Sequence, residues 1–160
     1  MKRLLCGLAM MMLTACSTGP SEVPGERGCS FEPMLDGVVV AFESGDGWHE
    51  DLRAFEAYRD GRVLVRDAKD QHGTTVSLGP ARVERLLSDL TATHVNEVEE
   101  GCFDPHESTD ADGGPVVSEL QIREDGSVRR FRDEGDELPD ELTRAFDVAS
   151  AFFAEAARAR

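Results

Sequence analysis

The chain has 160 residues, 17 Lys plus Arg against 32 Asp plus Glu, and 40% hydrophobic but only 6% aromatic residues, which is material for one modest domain. A formal net charge of -15 argues against an electrostatic grip on phosphates, because a nucleic-acid binder needs a basic face to release counterions from the polyanion; no nucleic-acid partner is expected. The only long apolar stretch lies at the N-terminus and is too short to span a bilayer.

Lys2 and Arg3 form a positive n-region, Leu4 to Leu13 an apolar h-region, and Leu13-Thr14-Ala15-Cys16 closes it with small residues ahead of a cysteine. This register resembles a bacterial lipobox. The resemblance covers residues 1–16 and implies cleavage before Cys16, diacylglycerol on its thiol and acylation of the new amine. Several acyl chains would then hold the protein on a lipid bilayer far more firmly than one. An ordinary secretory peptide, in which Cys16 is incidental, is the other reading. Loss of residues 1–15 removes Lys2 and Arg3 and moves the net charge from -15 to -17. Ser17 stands where inner-membrane lipoproteins of enteric bacteria typically carry Asp, so the resemblance implies the outer membrane of a bacterial cell envelope. Residues 16–28 read as the lipidated cysteine and a tether, since Ser17 to Gly28 is rich in Gly, Pro and Ser with few apolar side chains. Twelve such residues span about 20 Å as a flexible coil. Residues 29–160 are left as a single domain.

Cys6 leaves with the leader and Cys16 is lipidated, so Cys29 and Cys102 remain as a pair in an exported, oxidising setting. One disulfide is expected. It would close a loop of about 70 residues, constraining the unfolded chain by about 4 kcal/mol on the entropy model. Two thiolate ligands of a zinc site are the alternative, against which no Cys-x-x-Cys spacing occurs.

Within the domain, Gly37 to Ser44 is a β-branched run suited to a buried strand. Arg53 to Arg59, Asp60-Gly61 and Arg62 to Asp67 read as a hairpin, Asp-Gly suiting the positive φ angles of a type I′ turn. Thr74 to Leu78 is a further short strand, and Gly79-Pro80 opens a helix over 80–93 whose Val83, Leu86, Leu87 and Leu90 share one face. Val117 to Glu124, Asp125-Gly126 and Ser127 to Arg132 form a second hairpin; counting outward from a two-residue turn pairs Leu120 with Phe131. A second helix over 139–158 carries Leu142, Ala145, Phe146, Ala149, Phe152, Phe153 and Ala156 as an apolar stripe. The fold class is α+β: a mostly antiparallel sheet built from hairpins, with both helices on one face.

This order, from Ser44-Gly45-Asp46-Gly47 through Asp60 to Val63, the Pro-started helix, and the strand, turn, strand and helix of Ser118 to Phe153, resembles small bacterial domains related to emfourin. The resemblance covers about 120 residues and implies a protein inhibitor of a thermolysin-type metalloprotease, although many similar domains sit on lipoproteins. Family members usually carry a Gly-Gly pair in the first loop, whereas here Asp46 separates Gly45 from Gly47.

Residues carrying chemistry are few. Numbered from Ser108, Asp110 and Asp112 take the third and fifth positions of a calcium loop and Glu119 the twelfth, where a bidentate carboxylate belongs. Ser replaces the first Asp, Pro115 interrupts the run and a strand follows where an EF-hand has a helix, so a solvated acidic loop is the competing reading. His49, His72, His94 and His106 lack the i, i+4 spacing of a helical metal pair, and neither a Gly-x-Ser-x-Gly elbow nor a Gly-rich phosphate loop occurs. No catalytic residue and no cofactor are assigned. A protein partner is expected instead, with Ser44, Gly45, Asp46, Gly47 and Trp48 as the candidate binding loop; Trp48 is the only tryptophan, and loop aromatics make good anchors. The same Trp48 could plug the sheet edge. Arg129, Arg130 and Arg132 precede Asp133, Glu134, Asp136 and Glu137, which suggests internal charge pairing.

Overall fold

The computed structural model describes residues 31–45, 51–103, 117–133 and 138–160. Among these residues seven strands form one sheet: β1 (Val38–Gly45), β2 (Arg53–Tyr58), β3 (Arg62–Asp67), β4 (Asp70–Ser77), β5 (Gly101–Phe103), β6 (Val117–Glu124) and β7 (Ser127–Asp133). Their order is β4-β3-β2-β1-β6-β7-β5, and every pairing is antiparallel except β5 with β7. Two helices, α1 (Pro80–Thr91) and α2 (Asp140–Arg158), pack together on one face. The chain is α+β, as its alternating strand and 3.6-residue helix periods require.

Alternation along the strands sorts residues between the two faces. On the helix side, Phe131, Leu120, Phe42, Phe55 and Val65 occupy neighbouring positions across β7, β6, β1, β2 and β3. Ile122, Val40, Ala57, Val63 and Val76 form a second row. Val83, Leu86 and Leu90 of α1 and Leu142, Phe146 and Phe152 of α2 close the core over them. The register shift between Val38 and Val40 lets both Val39 and Val40 join this core, while Val38 borders the opposite face. The helices also meet through Arg82, which donates to both oxygens of Glu155 at 2.6 to 3.0 Å and lies over the Phe152 ring. The hydrogen bond from Arg82 holds the Glu155 carboxyl below its ordinary range.

Three local features depart from expectation. The β2–β3 link is a three-residue loop: Gly61 N–H donates to the Tyr58 carbonyl at 2.9 Å, and of Asp60 and Gly61 only Gly61 has a positive φ, 91°. A right-handed turn followed by one left-handed glycine replaces the type I′ turn, because three residues rather than two separate Tyr58 from Arg62. The second hairpin does close on two residues, with Asp125 at φ 47° and Gly126 at φ 85°, and Leu120 faces Phe131. β4 begins earlier than its β-branched residues suggest, since Asp67 accepts from the N–H groups of Lys69 and Asp70 and builds a turn without glycine. β5 carries no hairpin signal; Arg129 fixes the preceding segment by donating to the carbonyls of Asn96 and Val98.

Candidate functional site

Residues 31–37 cross the sheet face turned away from the helices. This strap has no ladder of its own, so its carbonyls take donors from the sheet beneath. Gln121 donates to the Glu32 carbonyl at 3.1 Å and Arg123 to those of Met34 and Leu35 at 3.3 Å. Arg132 lies 5.1 Å over the ring of Phe31.

Beside the strap lies a groove of about 590 Å³. Ala41 of β1 lines it, paired with Glu56 on one side and Gln121 on the other. Glu43, two residues further along β1, stands directly opposite Glu119 of β6. Arg66 of β3 and Arg132 of β7 flank these carboxylates from the outer strands. Arg132 donates to Glu119 Oε2 at 2.9 Å and Gln121 to Glu119 Oε1 at 2.6 Å. Arg66 reaches Glu43 and Glu56 only at 3.7 and 3.6 Å, beyond hydrogen-bond range. Glu56 also accepts from the Tyr58 hydroxyl at 3.1 Å; burial, with this carboxylate second, pushes that phenol up. Gln121 is 5% exposed, and its Oε1 has no hydrogen-bond partner among the described residues. The groove thus offers a ligand acceptor oxygens beside an apolar floor, with Arg66 Nε as an unpaired donor among the described residues. Among the described residues, no three His, Cys, Asp or Glu side chains are placed to hold a metal ion.

No protein-family model matches the chain, and no curated protein matches it significantly.

Of the residues singled out from sequence, Gly45 lines this groove at the end of β1, whereas Ser44 falls on the alternate side of the strand with Phe42. Ser44 Oγ lies 2.9 Å from Ser118 Oγ, and a Cβ at Gly45 would sit 3.3 Å from Leu52 Cα. Asp46, Gly47 and Trp48 lie outside the described residues, as do Asp110, Asp112, Cys16 and Cys29. Glu119 sits inside β6, where Arg132 and Gln121 already engage both oxygens. Cys102 is buried in β5, in register with Arg132. His72 and His94 are exposed and lie on separate elements. Arg129 contacts Glu100 at 3.8 Å and Arg132 pairs with Glu119, so both reach acids outside the run that follows them.

Glu43, Glu56, Arg66 and Gln121 were not among the residues singled out from sequence. Their only trace there is a polar residue next to a core position in each strand, Glu43 after Phe42, Glu56 after Phe55, Arg66 after Val65 and Gln121 after Leu120, an alternation that reads as a solvated face. Nothing in that alternation shows that Glu43 meets Glu119, 76 residues away.

Proposed function

We propose that the chain is a lipid-anchored protein of a bacterial cell envelope, seated at the outer membrane, whose domain works by binding another protein at the open face of its sheet. The groove beside the strap carries this reading: an apolar floor rimmed by hydrogen-bonding and charged groups is what a protein interface uses. No described helix is long and apolar enough to cross a membrane, and Cys16 supplies the means of attachment in this reading. A photoreactive residue at position 41 is expected to trap a defined protein adduct in cells, while one at the exposed helix position Glu84 traps none. Equal adducts, or none at either position, would overturn the binding reading.

Two predictions test the frame around the domain. Cys16→Ala is expected to abolish lipidation and move the protein from the membrane to the soluble fraction, because the anchor depends on that thiol. Persistence in the membrane fraction would sink the lipoprotein reading. The second concerns Cys29 and Cys102. Phe31 lies against Arg132, whose β5 partner is Cys102, and two residues of chain span up to about 7 Å, so the strap supports a bond between the two cysteines. Non-reducing peptide mapping is expected to find that bond, and reduction to lower the melting temperature. Two free thiols in envelope-isolated protein would refute it.

A further inference from the structure

Resting on the protein-binding reading, we infer that the groove accepts a lysine or arginine side chain of the partner, its charged head at the Glu43–Glu119 pair and its alkyl stem on Ala41.

Glu43 and Glu119 face each other across the β1–β6 ladder, where Cβ atoms stand about 5 Å apart and like charges repel. Glu56, opposite Ala41 on β2, adds a third carboxylate on the same face. With Glu32 of the strap, four carboxylates among the described lining residues meet two guanidiniums, Arg66 and Arg132. Those two are rooted two strands from β1, on β3 and β7, and reach inward to Glu43, Glu56 and Glu119. With four carboxylates against two guanidiniums, the lining keeps a net negative charge that favours a cation. Arg66 touches Glu43 and Glu56 without hydrogen-bonding either, and among the described residues Glu43 accepts no hydrogen bond.

The second observation is Gln121, which lines the same groove, is 5% exposed and keeps Oε1 without a donor. A group rich in N–H donors on an apolar stem fits this setting, since Leu52 and Val117 flank the groove and long basic side chains lay their methylenes on apolar surface. The carboxylates do not converge as metal ligands, so a divalent ion is a poorer fit. At about 590 Å³ the groove falls within the 300 to 1,000 Å³ of ordinary ligand sites. The net charge of -15 would steer a basic partner toward the domain.

The test is titration of the isotopically labelled full chain with acetyl-Ala-Arg-Ala-amide and acetyl-Ala-Lys-Ala-amide, with acetyl-Ala-Glu-Ala-amide as control. The basic peptides are expected to shift the amides of Ala41, Glu43, Glu119 and Gln121, and the acidic one none of them. Glu43→Gln should weaken that binding about fivefold while leaving the melting temperature unchanged or raised, because it relieves the like-charge pair. Ala41→Leu, which fills the floor, should abolish the shifts. Absent shifts, shifts spread evenly over the acidic surface, or undiminished binding in Glu43→Gln would each overturn the inference. A partner trapped through position 41 that binds Glu43→Gln as tightly as the parent would remove the basic side chain and leave protein binding standing. Absent adducts would remove protein binding, while the peptide titration still decides the groove.

Discussion

Phe55→Ala is expected to destabilise the domain by about 3 to 5 kcal/mol, the usual cost of truncating a buried aromatic that its surroundings cannot collapse around. Phe55 is fully buried at the centre of the sheet, flanked in register by Phe42 on β1 and Val65 on β3. Its ring centroid lies 5.0 Å from Phe152 of α2 and 5.7 Å from Phe42, so one truncation removes contacts both along the sheet and between sheet and helix. Against a total stability of about 5 to 15 kcal/mol, this would drop the melting temperature by about 10 °C or more. Urea denaturation of both proteins measures it, the midpoint falling with little change in slope. Phe153, half-buried beside the same cluster, is the control and should cost much less. A loss at position 55 no larger than at 153 would mean that α2 does not pack on β2 as described.

The fold was legible wherever a local period carried it. Val83, Leu86 and Leu90, and Leu142, Ala145, Phe146, Ala149, Phe152 and Ala156, are buried at the positions their spacing predicts, because a helix exposes one stripe to one core. The Asp125-Gly126 turn set its hairpin register for the same reason: two residues at positive φ leave one way to pair the flanking strands. β5 was not legible. Three residues show no alternation, and their place beside β7 depends on Arg129 holding carbonyls more than 30 residues away. The groove was hidden on the same ground. Glu43, Glu56, Arg66 and Glu119 come from four strands; the β1–β2–β3 meander brings the first three to one face, and the β1–β6 pairing, set by burial of Phe42 against Leu120, adds Glu119. Gly45 reached the groove because it ends β1 on the same side as Ala41 and Glu43.

Gly61→Ala is expected to cost about 3 kcal/mol or more, and Gly126→Ala about 1 kcal/mol, although the two glycines share nearly the same backbone angle. Gly61 has φ 91° and Gly126 φ 85°, so the penalty of holding an L side chain in the left-handed region is common to both. They differ in what a Cβ would meet. At Gly126 nothing lies within 4 Å, whereas at Gly61 a Cβ would fall 2.5 Å from both Gly79 Cα and Pro80 N. Those atoms are backbone at the start of α1 and cannot swing aside as a flexible side chain would. The β2–β3 turn and the β4–α1 junction would have to separate, breaking the hydrogen bond from Leu78 N–H to the Gly61 carbonyl at 3.0 Å. That separation would also disturb the seating of α1, whose Val83 enters the core one turn later. Denaturation midpoints of the two variants isolate the steric part by difference, since the conformational part cancels. Equal losses at the two sites would show that the turn and the α1 start are not in contact, and would remove the reason why position 61 is a glycine rather than an asparagine.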